Sequence, residues 1–347
     1  MKVFLTGGTG YIGQPITKSF LERGWNVTVL VRNPNSPGSK AVSKMGAQLA
    51  TGDITERESM RAAMKGANIV VHSAGHYEMG LNRAGKQHMQ RVNVDGTENV
   101  LGLAHELIIP RTIYVSTIIA FGETGPQPRD ETYRRQFPFG STYEQTKTDA
   151  HNIARQYQQR GLPLIIVCPH CVIGANDQSF IGYYLRLYVN HILPPMRWSP
   201  RAGCSFVALN DLITGIILAA EKGRIGETYF LCGESRSIRE HYDYWRKKTG
   251  GVSWWVWLPA GFTAALLAPL EPIQRMLGLP AFLSRETVKT SSGKWCFSNE
   301  KAKRELGWTH CSAEEMWHAA IDGEIDLLAK RKGQNLIQRL KPLETVE

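Results

Sequence analysis

A tyrosine and a lysine stand four residues apart in this chain, at Tyr143 and Lys147. On a helix, side chains with this spacing share one face about one turn apart. A tyrosine phenol normally titrates near pH ~10 and is a poor acid or base at neutral pH, but a neighbouring ammonium group stabilises the phenolate and lowers its pKa. The pair therefore predicts proton transfer to or from a ligand oxygen.

Two hydroxyl side chains, Ser116 and Thr117, stand where a β-prone run at 112–116 ends. The carboxyl ends of parallel strands form the crevice in which ligands of α/β sheets bind. A hydroxyl group at this place can hydrogen-bond the same ligand oxygen that Tyr143 protonates or deprotonates.

A strand, a glycine-rich turn and a helix-like segment follow one another at the start of the chain. The run Val-Phe-Leu-Thr leads directly into Gly7, Gly10 and Gly13. In dinucleotide-binding folds, three such glycines allow the tight turn, the approach of the backbone to a pyrophosphate, and close packing of helix on strand. The helix N-terminus then presents N–H groups to the phosphates. Glycine triplets also occur in ordinary tight turns, but the position on the first strand favours nucleotide binding.

The end of the second β-prone run distinguishes between two nicotinamide dinucleotides. An acidic residue about 20 residues beyond the glycines usually holds the ribose hydroxyl of NAD. This run ends instead with Val31 and Arg32, and a guanidinium group can hold the 2′-phosphate of NADP. We therefore expect NADP, whereas the site would accept either NADP or NAD if Arg32 only stacks on the adenine.

Strand and helix signals alternate through the first two hundred residues. The β-prone runs lie at 3–6, 27–31, 48–51, 69–72, 112–116 and 164–167. The helical patterns lie at 12–23, 56–64, 87–107 and 143–160. This alternation predicts the α/β class, with a Rossmann-type doubly wound parallel sheet and a smaller, mostly helical C-terminal substrate lobe.

The predicted boundary between the two parts is not sharp. We expect the nucleotide-binding domain over 1–170, with sheet contributions from about 200–232, an interleaved substrate lobe over 171–330, and a tail over 331–347. Further along the chain, patterns indicate a helix at 210–222, a strand at 228–231 and a helix at 238–249. Loops are expected around 174–179 and 193–203.

Residues 252–270 carry no charge. This length could just span a bilayer, but Pro259, Gly261 and Pro269 interrupt it. Apolar helices that cover a substrate pocket are the first interpretation, and peripheral contact with a membrane through 252–270 is the second, since tryptophans suit an interface.

Composition excludes some classes of function. The chain has 347 residues and a formal net charge of +10, which suits anionic ligands or an anionic membrane surface. The absence of dense Lys/Arg runs argues against nucleic acid as a partner. The first residues already form a strand, so no signal peptide is expected. A homodimer is compatible with the sequence, which carries no signal that decides the oligomeric state.

The six cysteines follow no disulfide-scaffold spacing, which favours a reducing, cytoplasmic location. Cys168 and Cys171 form a C-x-x-C pair. No second pair accompanies them, so we expect neither a redox pair nor a metal site.

Taken in order, these motifs resemble those of the extended short-chain dehydrogenase/reductases, in the NAD-dependent epimerase/dehydratase superfamily. The matching segments are 6–13, 52–53, 70–74, 92–97, 114–122, Tyr143 with Lys147, Pro169, 206–207 with Asp211, 226–229 and 303–308. Within the family the chain is most similar to dihydroflavonol-reductase-like members, by Val31-Arg32, Leu162-Pro163 and the run 223–227. Cys168 and His170 depart from the usual residues around Pro169, which puts any borrowed substrate in doubt.

The resemblance implies roles for individual residues. Counting back from Gly122 places the catalytic hydroxyl at Thr117 rather than Ser116, and Tyr143 and Lys147 match the acid–base pair. The implied cofactor-binding residues are Gly7, Thr9, Gly10, Tyr11, Ile12, Gly13, Arg32, Asp53, Ile54, Ser73, Ala74, Gly75, Asn93, Tyr143, Lys147 and Pro169. Asn93 would support the active-site helix or a water relay.

Three functional hypotheses follow. The first is an NADP-dependent reductase of a ketone or aldehyde on a fairly apolar small molecule. The second is a nucleotide-sugar epimerase or dehydratase that retains NAD, and the third is a nucleotide-binding sensor without catalysis. Segment 76–90 is expected to form one wall of the substrate site. Segment 174–203 and an aromatic cluster are expected to form the other wall. The aromatic cluster comprises Trp254, Trp255, Trp257 and Phe262.

Overall fold

A seven-stranded parallel sheet forms the centre of the molecule, with strand order β11-β6-β5-β4-β1-β2-β3. The computed structural model describes residues 1–193, 196–251, 256–277 and 282–341. The strands of this sheet are β1 Lys2–Thr6, β2 Asn26–Val31, β3 Gln48–Thr51, β4 Ile69–His72, β5 Arg111–Val115, β6 Leu164–Pro169 and β11 Thr228–Leu231. The order reverses between β1 and β4, as in a doubly wound sheet. The predicted Rossmann-type α/β fold is confirmed.

Short strands lie outside the central sheet. They are β7 Val172–Ile173, β8 Met196–Trp198, β9 Gly203–Cys204, β10 Val207–Ala208, β12 Arg236–Ser237, β13 Val256–Leu258 and β14 Lys294–Trp295. They pair as β10 with β7, β8 with β13, and β9 with both β12 and β14. Segment 193–203, which we expected to be a loop, therefore contains most of two short strands, and its residues 194–195 lie outside the described part of the chain.

Helices cover both faces of the sheet and form most of the C-terminal lobe. They are α1 Gly13–Glu22, α2 Pro37–Lys44, α3 Arg57–Met64, α4 Arg83–Gln90, α5 Gly96–Glu106, α6 Thr142–Gln159, α7 Phe180–Val189, α8 Leu209–Lys222, α9 Ile238–Thr249, α10 Ala260–Leu267, α11 Leu270–Met276, α12 Arg285–Ser291, α13 Glu300–Leu306, α14 Ala313–Lys330 and α15 Leu336–Leu340. A 3₁₀ turn, Ile118–Phe121, follows β5.

The strands are apolar because both faces of the sheet are buried. Helices α3, α5 and α6 pack on one face, where Met60, Val100 and Ala154 belong to the buried core. Helices α1 and α8 pack on the other face through residues such as Phe20 and Ile216. Parallel sheets of this kind bury near-continuous hydrophobic runs, as the sequence pattern indicates.

One predicted helix is interrupted. The segment 87–107, expected as a single helix, consists of α4, a π-helical turn at Arg91–Asp95, and α5. The wide turn contains Asn93, whose carboxamide hydrogen-bonds to the backbone of His76 and to the Thr146 hydroxyl of α6. A π turn inside a helix often marks a functional position.

The C-terminal lobe has an aromatic core of its own, in which Trp245 and Trp317 pack with ring centroids 5.0 Å apart. The division into two domains at residue 170 stays a prediction. Strand β11, from the second half of the chain, pairs with β6 at the edge of the central sheet.

Of the uncharged stretch 252–270, residues 252–255 lie outside the described part. Among the helices that the structure describes, none is long and apolar enough to cross a membrane.

The turn between β1 and α1 generates a stability prediction. A Cβ atom at Gly13 would lie 1.9 Å from the carbonyl oxygen of Gly7 and 2.7 Å from the Cα atom of Gly8, so the backbone would have to move. We expect Gly13→Ala to lower the free energy of unfolding by about 1–3 kcal/mol or more, measured as a lower thermal unfolding midpoint. Gly261→Ala is the matched control, because nothing lies within 4 Å of its added Cβ and the position is helical. A midpoint of Gly13→Ala equal to that of the control would contradict this account of the turn.

Candidate active site

A cavity of about 560 Å³ opens where the central strands end. Its wall contains residues that directly follow β1, β2, β3, β4 and β5, which are the carboxyl ends of the sheet. The predicted site residues that line it are Gly7, Thr9, Gly10, Tyr11, Ile12, Gly13, Arg32, Asp53, Ile54, Ser73, Ala74, Gly75, Thr117, Tyr143, Lys147 and Pro169. Asn93 is the predicted residue that does not line it.

The three glycines of the first turn differ in what surrounds them. Gly7 has a φ of +73°, and a Cβ there would lie 2.6 Å from the backbone nitrogen of Ala74. A Cβ at Gly10 would meet only the carbonyl oxygen of Gly7, at 3.4 Å, and its other side faces the cavity. Gly7 is therefore required by the fold, whereas the bare backbone at Gly10 leaves room for a ligand to approach.

Helix α1 begins at this turn without a side-chain cap. Its N-cap position is Ile12, whereas α6 begins with the hydroxyl of Ser141, which accepts from the backbone N–H of Glu144 at 3.0 Å. An uncapped N-terminus that lines a cavity favours an anion such as a pyrophosphate. The first turn thus fits a dinucleotide.

Two polar side chains mark the other end of the cavity. Arg32 follows the end of β2 and is exposed. Asp53 follows β3, and its carboxylate accepts from the backbone N–H and the hydroxyl of Thr55, both at 2.8 Å. The last two residues of β2, Leu30 and Val31, supply no carboxylate at this place.

Helix α6 positions the predicted acid–base pair. Lys147 is buried, with Nζ 5.4 Å from the centre of the Tyr114 ring, a residue of β5. Tyr143 is half-buried, and its ring packs edge-on against Tyr77 with centroids 4.8 Å apart. The spacing of four residues places both side chains in one cavity, as predicted.

The pKa of Tyr143 is shifted in the direction opposite to the lowered value expected from the sequence. Burial raises the pKa of Tyr143 above its ordinary value, although the Lys147 ammonium lowers it in part. For Lys147, burial lowers the pKa, but the nearby Tyr114 and Tyr143 outweigh it, so the net shift is upward. At neutral pH the cavity therefore holds a protonated phenol beside a charged ammonium group.

The two candidate hydroxyls have different partners. Thr117 Oγ1 donates to the carbonyl oxygen of Pro169 at 3.3 Å and accepts from the backbone N–H of Ile119 at 3.3 Å. Ser116 Oγ is 3.0 Å from Nδ1 of His151 in a buried pair. Burial lowers the pKa of His151 to about 3, so its imidazole is neutral. The hydroxyl of Ser116 is thus engaged in a buried hydrogen bond with a neutral imidazole.

Asn93 acts within the protein rather than at the cavity surface. Its Oδ1 accepts from the backbone N–H of His76 at 2.7 Å, and its Nδ2 donates to the carbonyl oxygen of His76 and to Thr146 Oγ1. These bonds join the loop after β4 to α6 at the residue directly before Lys147. The geometry agrees with support of the active-site helix.

A buried histidine beneath the site was not among the predicted residues. His72 Nδ1 is 2.8 Å from Thr6 Oγ1, and its Nε2 is 3.1 Å from Thr97 Oγ1. Burial and the charge of Lys147 lower the pKa of His72 to about 3. The neutral ring therefore ties β4 to β1 and to α5 without adding charge under the cavity.

The remaining lining forms the predicted substrate end, and it is largely apolar or aromatic. Its residues include Tyr77, Met79, Phe180, Ile181, Phe206, Ile238 and Trp295. Segment 76–90 contributes one wall as expected. Of the aromatic cluster expected in the other wall, Trp257 and Phe262 do not line the cavity. Trp254 and Trp255 lie outside the described residues. The aromatic side chains of Phe206 and Trp295 line the cavity instead. Sequence patterns missed these two because they come from distant segments.

The C-x-x-C pair is split by the fold. Cys168 lies in the core of the sheet, whereas Cys171 lines the cavity. Burial raises the pKa of the Cys171 thiol to about 12, so it is protonated at neutral pH. The cysteines of the described residues are free thiols.

Comparison with known proteins agrees with this architecture. The sequence model of the NAD dependent epimerase/dehydratase family matches residues 3–232. A Synechocystis sp. protein named as a dihydroflavonol 4-reductase is 27% identical over 330 residues, which cover 92% of this chain and 93% of the relative. This relative agrees with the resemblance to dihydroflavonol reductases.

Two further relatives extend the comparison. A Stigmatella aurantiaca protein, the 4-hydroxy-2-methyl-3-oxo-4-farnesyl-3,4-dihydroquinoline-1-oxide ketoreductase, is 31% identical over 235 residues, covering 67% of this chain and 68% of the relative. The crystal structure of DesIV, a dTDP-glucose 4,6-dehydratase from Streptomyces venezuelae with NAD bound, superposes with a TM-score of 0.76 at 20% identity, over 95% of this chain and 98% of that chain. The chain therefore belongs to the NAD dependent epimerase/dehydratase family and is an NAD(P)-dependent oxidoreductase that acts on a CH–OH/C=O pair.

Proposed function

We propose that this protein is an NADP-dependent reductase of a ketone or aldehyde on a fairly apolar small molecule. The observation that carries the proposal is one cavity that joins the glycine turn, Thr117, Tyr143 and Lys147 to an apolar substrate end. The farnesylated substrate in the name of the Stigmatella relative supports an apolar ligand. The reverse oxidation of the alcohol uses the same groups.

The charges in the cavity favour this substrate class over a nucleotide sugar. Among the described residues that line the cavity, the lysines and arginines are Lys147 and Arg32, and both belong to the cofactor end. A second nucleotide diphosphate would need cationic partners at the substrate end. An epimerase or dehydratase with retained NAD is therefore the second candidate.

Three polar side chains of the site have roles in the proposed reduction. When bound, the nicotinamide supplies the hydride. Tyr143 holds its phenol proton at neutral pH and donates it to the developing alkoxide, and the hydroxyl of Thr117 hydrogen-bonds the same oxygen. Lys147 would hold the nicotinamide ribose, and its charge stabilises the phenolate that Tyr143 becomes. The Tyr77 ring packs at nearly a right angle against the Tyr143 ring and so limits the positions that the phenol can take.

Removal of the phenol oxygen tests the acid. We expect Tyr143→Phe to lower kcat about 10²–10⁴-fold while NADPH binding stays unchanged, because a positioned proton donor contributes that much. Tyr77→Phe is the matched control, since it removes the phenol oxygen of the adjacent ring, and it should keep most of the turnover. Carbonyl-dependent loss of NADPH absorbance measures turnover, and fluorescence titration measures binding. Full turnover in Tyr143→Phe would exclude this residue as the acid.

Removal of the ammonium charge tests the pKa of Tyr143. In the direction of alcohol oxidation Tyr143 must be a phenolate, so kcat rises as pH passes through its pKa. Lys147→Met removes the charge that lowers this pKa, and the rising limb of the kcat profile should move to higher pH. Lys147→Arg keeps the charge and should shift the limb less. A limb that stays in place, or that moves to lower pH in Lys147→Met, contradicts the electrostatic role.

Arg32 tests the choice of cofactor. We expect Arg32→Ala to weaken NADPH binding roughly 10- to 100-fold and to leave NADH binding nearly unchanged, because a charge-assisted hydrogen bond to the 2′-phosphate is lost. Arg160→Ala, an exposed arginine at the end of α6, is the control. Equal losses for both nucleotides would assign Arg32 to adenine stacking, and purified protein that carries stoichiometric NAD would favour the epimerase or dehydratase.

A further inference from the structure

Helices α10 and α11 expose large apolar side chains on their outer faces. Phe262 and Leu266, four residues apart on α10, are 58% and 45% exposed. Ile273 and Met276, three residues apart on α11, are 47% and 84% exposed. Residues at these spacings share one helix face. These four side chains are called the α10–α11 surface below.

The inner faces of the same helices bury polar side chains. Thr263 and Gln274 are almost completely buried. The hydroxyl of Thr263 donates to the carbonyl oxygen of Pro259 at 3.1 Å, and the carboxamide of Gln274 exchanges two hydrogen bonds with the backbone of Leu283. A helix on the surface of a water-soluble protein shows the opposite arrangement, with its apolar stripe facing the core. The arrangement on α10 and α11 suits an apolar medium outside the protein.

Two exposed cations lie on the helix that packs against α10. Helix α12 packs against α10, and its Arg285 and Lys289, four residues apart, are both exposed. The described residues 256–270 carry no charge, and the chain as a whole has a net charge of +10. Exposed apolar side chains beside basic ones are typical of helices that lie in the interface of an anionic bilayer.

From these observations we propose that the α10–α11 surface inserts into the headgroup region of an anionic lipid bilayer. The insertion is shallow, because the eight residues of α10 are far fewer than the ~20 that a membrane span requires. A second copy of the chain is the less favourable occupant. A two-fold contact places the same surface of both copies together, so two copies of the basic pair Arg285 and Lys289 would be gathered at one interface.

The proposed membrane surface adjoins the candidate active site. Helix α12 packs on α10 and also contributes Thr290 and Ser291 to the cavity wall. An apolar substrate dissolved in the bilayer would therefore reach the cavity along the membrane-facing side of the protein. Binding of the protein to lipid does not depend on the proposed reductase activity, so the two proposals can fail separately.

Vesicle flotation with the full-length protein tests this proposal. Wild-type protein should bind phosphatidylcholine vesicles that contain phosphatidylglycerol, and should bind pure phosphatidylcholine vesicles more weakly. Phe262→Ser/Leu266→Ser should lower the vesicle association constant roughly tenfold or more, because two apolar side chains no longer leave water. Ile108→Ser/Ile225→Ser, at exposed isoleucines elsewhere on the chain, is the matched control and should bind as wild type does.

The charge contribution has its own pair of variants. Arg285→Glu/Lys289→Glu should abolish the preference for phosphatidylglycerol, whereas Lys18→Glu/Lys65→Glu, which changes the net charge equally, should keep most of it. All variants should retain the thermal unfolding midpoint and NADPH affinity of the wild type. Failure of the folded wild-type protein to bind either kind of vesicle overturns the proposal. So does light scattering that shows a dimer in the wild type and a monomer in Phe262→Ser/Leu266→Ser, because the surface would then be a subunit interface.

Discussion

The buried ammonium group of Lys147 is the constraint on which the rest of the site depends. A charge in a buried position is costly unless neighbouring groups compensate for it. Here the Tyr114 ring lies against the ammonium group, and the Tyr143 phenol helps to raise its pKa. The same charge helps to keep two buried histidines neutral, since it lowers the pKa of both His72 and His151. Burial is the larger cause of the low pKa of both histidines, and the Lys147 charge adds to it.

The position of Lys147 follows from several elements of the fold acting together. Helix α6 begins with a capped N-terminus at Ser141, which sets where Tyr143 and Lys147 lie along its axis. Asn93, in the π turn before α5, joins α6 to the loop after β4. The glycine turn after β1 sets the opposite wall, because only glycine fits so close to neighbouring backbone at Gly13. The two walls meet at the carboxyl ends of the strands, where they can hold a dinucleotide next to the acid.

The sheet and most of the nucleotide end were predictable because their signals are local. The first four residues of β6 are all apolar, and the spacing of Tyr143 and Lys147 requires only that α6 be a helix. The π turn at Arg91–Asp95 was not predictable from local spacing, and the hydrogen-bond partners of its Asn93 lie on α6 and on the loop after β4. The substrate wall was predicted only in part. Phe206 and Trp295 are far apart in the chain, and no periodicity connects them.

The sequence by itself determined the α/β class, the order of the strands along the chain, the nucleotide-binding turn and the residue types of the acid–base pair. These follow from short-range spacing, which does not change when the chain folds. The tertiary structure decided the direction of the Tyr143 pKa, because burial raises it by more than Lys147 lowers it. It also decided which faces of α10 and α11 point outward. An uncharged stretch has the same composition whether it is buried or exposed, and only packing against α12 and Leu283 separates the two faces.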